Sequence, residues 1–202
     1  MPPYSRQVFF NVPFDPRYKK LFRALVFAVH DSGFAARCAL ERSDSGQIRL
    51  DKLYELIESC EFGVHDLSRT SLDSVNRLPR FNMPLELGLF LGARRFGGGR
   101  QRRKRVLILD SVPYRYQKFC SDIAGQDIRA HGNTVTGAIR AVRDWLREVT
   151  GTAVPGEVRI ENRYLQFQKS LPAMCLTNGV AASRLSFLDY RAFVDGWRAE
   201  NP

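Results

Sequence analysis

Short apolar runs alternate along this chain with longer stretches of helical spacing, and that alternation restricts the fold more than any other feature. Gln7-Val8-Phe9-Phe10-Asn11-Val12 reads as a first strand, closed by Pro13-Phe14-Asp15-Pro16. Tyr18, Leu21, Phe22, Leu25, Val26 and Val29 then recur at the three-and-four spacing of one buried helical face, which Gly33 ends. Residues 34–40 form a second strand, Asp44-Ser45-Gly46 opens a loop and helix start, and Leu50, Leu53, Tyr54 and Ile57 mark the next helical stripe. A third strand covers 62–67, followed by a polar loop over 68–81. Residues 82–93 predict a buried helix with Asn82 as N-cap and Pro84 tolerated in the first turn. Gly88 and Gly92 in it are expected to allow close approach to a sheet. Arg105-Val106-Leu107-Ile108-Leu109-Asp110, four apolar residues between charged ends, is the clearest strand. A short helix near 116–123, an edge strand over 127–130 and an amphipathic helix over 134–149 complete the series.

Such alternation with short connections predicts helices on both faces of a mostly parallel sheet. The expected architecture is a flavodoxin-like, doubly wound α/β domain over residues 1–150, with five strands in the order 2-1-3-4-5. After Gly151 the pattern changes. Two further helices, near 161–171 and 187–199, form a small C-terminal extension over 151–202. Their apolar faces are expected to pack on the main domain or on a second subunit, which predicts a homo-oligomer. A chain of 202 residues has ample core without staples. It lacks both a membrane-length apolar run and an apolar leader at its start, so a soluble, cytoplasmic protein with no membrane partner is expected. Cys38, Cys60, Cys120 and Cys175 are far apart and suit inert thiols of a reducing compartment. With His30, His65 and His131 equally scattered, no metal site is expected.

The net charge is +10. Arg94, Arg95, Arg100, Arg102, Arg103, Lys104 and Arg105 crowd one stretch around Gly97-Gly98-Gly99. This stretch reads either as a nucleic-acid or phosphate contact or as a solvated, flexible loop. The solvated loop is favoured, because no aromatic residues interleave the charges.

In an open sheet of this kind, ligands bind beyond the carboxyl ends of the strands where the strand order reverses, here between strands one and three. Asn11, Pro13, Phe14 and Asp15 arrive there from the first strand, and His65, Asp66 and Ser68 from the third. Glu86 stands near the same crevice from the following helix. Structural alternatives exist for each. Asp66 could close a turn, Glu86 could answer the helix dipole, Asn11 could orient a loop, and His65 reads best as a packed strand residue. Against the bland reading of Glu86, its neighbours Leu85, Leu87, Leu89 and Phe90 make a free carboxylate costly unless it is used. Neither a glycine-rich dinucleotide fingerprint nor a phosphate-binding P-loop is present.

The segments V-F-F-N-V-P-F-D (8–15), C-E-F-G-V-H-D-L-S (60–68), N-M-P-L-E-L-G-L-F-L-G-A (82–93) and R-V-L-I-L-D (105–110) resemble the nucleoside 2-deoxyribosyltransferase and TIR-like nucleotide-hydrolase superfamily. Within it the chain is similar to short bacterial TIR-like proteins of anti-phage defence. The resemblance covers residues 6–149. It implies cleavage of a base–ribose bond, with a nucleotide such as NAD as substrate and no cofactor. It also implies that Glu86 acts on the anomeric carbon, Phe14 lines the pocket and Asp66 holds ribose hydroxyls; Asn11, Asp15 and Ser68, delivered there by their strand ends, are expected to bind substrate beside them. Arg69 or Arg17 would hold a pyrophosphate. Because the nicotinamide nitrogen is already cationic, one strong carboxylate suffices for catalysis. The alternative function is a nucleotide-binding or signalling module without turnover.

Overall fold

In the computed structural model, which describes residues 2–41, 44–69 and 81–202, five parallel strands are joined by helical crossovers. They are β1 (Gln7–Asn11), β2 (Ala35–Cys38), β3 (Phe62–Asp66), β4 (Arg105–Asp110) and β5 (Arg129–Ala130), in the order β2-β1-β3-β4-β5. Register follows from paired positions such as Val8 with Ala36, Phe10 with Val64 and Val64 with Leu107. This is the expected flavodoxin-like, doubly wound sheet. The central strands are buried on both sides because helices cover both faces.

Alternate residues of β1 sort the two faces, as the strand period requires. Val8 and Phe10 join α1 (Lys19–Asp31) and α4 (Val135–Thr150) in the largest apolar cluster. Phe9 points the other way, to α2 (Arg49–Ser59) and α3 (Asn82–Phe96). Helix α4 is well terminated. The Thr134 side chain accepts the Gly137 N–H at 3.0 Å, and Gly151 closes the helix at φ 64°.

Three local expectations are corrected. Asn82 is the first helical residue, with Phe81 before it, and makes no capping bond. Gly88 and Gly92 do not face the sheet: a β-carbon on either would meet nothing within 4 Å. The close approach lies on the strand instead. A β-carbon on Gly63 of β3 would sit 2.7 Å from Phe90 Cζ, so Gly63 is what lets α3 lie against the sheet. The basic stretch forms a 3-10 turn over Gly99–Arg103 with its arginines exposed, as the solvated reading expects, and Lys104 is the departure from it. Tyr4 donates its hydroxyl to Arg100 O at 2.9 Å, and Arg100 stacks over the Tyr4 ring. Lys104 is fully buried rather than solvated. Its ammonium bonds the Ile57 and Cys60 carbonyls at the end of α2 and sits 4.6 Å from the Phe90 ring centre. Burial lowers its pKa to about 8.

The extension forms α5 (Glu157–Thr177) and α6 (Phe187–Glu200). Helix α5 runs six residues past the expected end and carries Pro172 inside it. Leu171 and Cys175 remain buried on the same face, and that packing offsets the missing hydrogen bond. Both helices lie on α1. Phe27 meets Phe167 at 5.4 Å and Trp197 at 5.9 Å between ring centres, and Tyr164, Tyr190 and Val194 belong to the same cluster. Most of the apolar residues that suggested assembly are thus covered within the chain, while Leu188 stays exposed. No described helix is long and apolar enough to cross a membrane. Truncating Phe167, which is fully buried, to alanine should cost about 3–5 kcal/mol in urea denaturation. A loss below about 1 kcal/mol would mean the extension is not part of the core.

Candidate functional site

Asp66 ends β3 with no solvent exposure, so each of its oxygens needs a partner. Oδ1 accepts the Ser68 N–H at 2.7 Å, an Asx turn that bends the chain out of the strand. Oδ2 accepts the Tyr18 hydroxyl and faces His131 Nε2 at 3.1 Å. The direction of that last N–H is poor, so it is an electrostatic contact rather than a hydrogen bond. His131 Nδ1 accepts the Asn133 N–H at 2.9 Å, which leaves the proton of the neutral ring on Nε2, toward Asp66. Burial, together with the charge of Asp66, holds the Tyr18 pKa well above the ordinary value, so the phenol stays a donor.

The neighbouring strand end repeats the motif with an arginine. Asp110 Oδ1 takes Ser111 N–H at 2.6 Å and Arg115 Nε at 2.8 Å, while Arg115 also reaches Leu67 O at 2.6 Å. The exits of β3 and β4 are thereby tied together.

Asn11, at the end of β1, is fully buried. Its amide donates to Met83 O at 2.8 Å and contacts His65 Nδ1 at 3.0 Å, fastening the first turn of α3 to the crevice between β1 and β3. His65 packs edge-on against Phe9 and Phe90. Burial, helped by Lys104, lowers its pKa to about 3, so the ring is neutral. Polar atoms nevertheless remain open here. Asn11 Oδ1, Ser68 Oγ and Arg69 Nε are buried without hydrogen-bond partners among the described residues.

Glu86 lies one turn beyond Met83. It is 8% exposed and has no hydrogen bond or ion pair among the described residues. Desolvation raises its carboxyl pKa to about 7, against the opposing influence of Arg49. A buried, unpaired carboxyl titrating near neutrality can act as a proton donor, a base, or an anion facing developing positive charge.

Asn11, Asp66, Ser68 and Arg69 therefore gather at the β1–β3 crevice, with α3 and Glu86 fastened alongside through Met83. Phe14 is placed elsewhere, whereas Asp15 borders both regions, its charge acting on the Tyr18 phenol that meets Asp66. The Phe14 ring lies 5.4 Å from Phe22, and both residues line a cleft of about 480 Å3 on the α1 side that Glu86 does not line. Tyr18, Asp110, Arg115 and His131 were missed from the sequence. Tyr18 was hidden by its place in an apolar helical stripe, and His131 by a strand of only two residues. No group of metal ligands occurs among the described residues.

No family model matches the chain, and no curated protein does. Among solved structures it is similar to a diflavin flavoprotein A3 from Nostoc sp., with 16% identity over 74% of this chain and 96% of that one and a TM-score of 0.44. That neighbour is described as a flavoprotein, which stands against the expectation of no cofactor, and that expectation is not carried further. The residues present do not fit a flavin phosphate at the start of α1. Pro13 and Pro16 have no N–H to offer, and the Asp15 carboxylate and carbonyl take the Tyr18 and Lys19 N–H groups.

The Glu86 environment makes a pH prediction. The folded protein keeps the Glu86 proton up to about pH 7, whereas the unfolded chain loses it near pH 4.5. The folded state binds more protons between those values. The stability this contributes is complete below pH 4.5 and is lost as pH rises through 7, on the order of 3 kcal/mol. Glu86→Gln should abolish this slope, so its stability relative to wild type grows by that amount across the window. A constant difference in chemical denaturation at several pH values would contradict the buried carboxyl.

Proposed function

We propose that the chain cleaves the bond between a base and C1′ of a ribose in a nucleotide such as NAD, with Glu86 as the carboxylate at the anomeric carbon. The observation that carries this reading is the buried Glu86 carboxyl beside the switch-point crevice, unpaired among the described residues and with its pKa raised to about 7. The resemblance of residues 6–149 to the TIR-like and deoxyribosyltransferase-like superfamily supports the choice of substrate class.

In the proposed step the C1′–N bond breaks and its electron pair returns to the ring nitrogen, so nicotinamide leaves neutral. Positive charge develops at C1′ and the ring oxygen, where the ionised Glu86 stabilises it. Water then adds to C1′ and releases one proton. Asp66 is committed to Tyr18, Ser68 and His131, so in this reading it shapes the pocket floor. The open acceptor on Asn11 and the open groups of Ser68 and Arg69 are left for hydroxyls and phosphate.

Because the reaction needs ionised Glu86, kcat/KM should rise with pH through about 7 and then level. Glu86→Gln should lower nicotinamide release by about a hundredfold or more and change NAD binding much less. Chromatography of NAD digests and a separate binding measurement on the same preparations check both. Equal turnover by the two proteins removes Glu86 from the mechanism. Intact NAD with measurable binding would favour the module that binds without turnover.

A further inference from the structure

We propose that the cleft between the β1–α1 loop and the C-terminal extension is a second small-molecule site, built for a flat aromatic ligand carrying one anionic group. Its volume of about 480 Å3 lies within the range of ligand sites, roughly 300–1,000 Å3. One wall is a run of rings: Phe14 packs edge-on against Phe22 at 5.4 Å, and Phe22 stacks on Phe187 at 5.7 Å. Phe14 is 38% exposed, so the end of this run is open to a stacking partner. Ser183, Leu185, Ser186 and Tyr190 of the extension line the cleft beside Phe187.

Charge in the cleft is asymmetric. Asp15, Lys19 and Arg23 follow one another at four-residue spacing, so the stripe runs from negative to positive over about 12 Å. Asp15 is held at the start of α1, where its Oδ1 accepts the Tyr18 N–H at 3.0 Å. Among the described residues Lys19 makes only a long contact to Ser183 O, at 3.4 Å. Arg23 stacks 5.2 Å from the Tyr190 ring centre and forms no ion pair among the described residues. Its Nη2 is buried with no hydrogen-bond partner among the described residues. A guanidinium with a buried unsatisfied N–H, placed on an aromatic ring and beside a second cation, calls for an anionic acceptor. The run of rings supplies the stacking surface for the rest of the ligand. Glu86 does not line this cleft, so the site is independent of the proposed glycosidic chemistry.

The experiment is calorimetric titration of the full chain with 2-naphthoate and its neutral isostere 2-naphthamide. Naphthoate should bind about tenfold more tightly, and Phe14→Ala should weaken both ligands together. Arg23→Gln should bring the two affinities together. Lys19→Gln, at the surface and safe for folding, should narrow the difference even if Arg23→Gln fails to fold. Glu86→Gln should bind naphthoate like wild type. Absence of binding up to the solubility limit overturns the proposal. So does a preference for naphthoate that is full-sized in every folded Arg23 or Lys19 variant, or its loss in folded Glu86→Gln.

Discussion

Helix α1 has no face left for water along most of its length, and the placement of every other layer depends on that. Each residue from Ala24 to Asp31 is buried, between the sheet and α4 on one side and the extension on the other. A helix apolar all round can only be stable inside such a sandwich. Its last residues are polar, however, and burial obliges them to find partners. His30 accepts the Ala36 N–H through Nε2 and bonds Asp195 at 2.6 Å, while Asp31 takes Arg163 at 3.0 Å. Arg163 and Asp195 come from α5 and α6. Apolar area supplies the adhesion of the extension, and the buried polar pairs fix where along α1 it sits.

The same logic of compelled pairing governs the carboxyl edge of the sheet. Two strand-end aspartates, Asp66 and Asp110, lie in fully buried positions, and each draws in the backbone N–H and side chains that bend the exits of β3 and β4. Leu67 N–H to Leu109 O, at 2.8 Å, carries the pairing one step past the strands. With those exits rigid, Asn11 can fasten α3 through Met83 O, and Glu86 rides on that helix. Glu86 is the exception in the network: it makes no hydrogen bond or ion pair among the described residues, and only the charge of Arg49 opposes its desolvation. Stable folds remove such costs unless the group is used.

The candidate site and the cleft on α1 share one connection, the loop Pro13-Phe14-Asp15-Pro16. Two prolines stiffen it and remove donors. Asp15 caps the start of α1 and Phe14 turns toward Phe22, so the loop serves the extension's side of the molecule while Asn11, a few residues earlier, serves the crevice. A short rigid segment thereby separates two chemically different environments.

The strand order and the residues standing at the strand ends were legible in the sequence. Apolar runs of five or six residues between helical stripes leave few ways to bury both faces of a sheet, and strand ends fall where those runs stop. Glu86 was legible for a related reason, a carboxylate among leucines having an evident cost. Spacing carries no record of partners remote in the chain. That Asp66 would meet Tyr18 and His131, that Lys104 would leave a run of arginines to bond the end of α2, and that Phe14 would part from Asn11 were decided by packing alone. Pro172 within α5 and the true role of Gly63 belong with them. Local sequence sets which conformations are cheap, but only the assembled core determines which buried polar groups come within reach of one another.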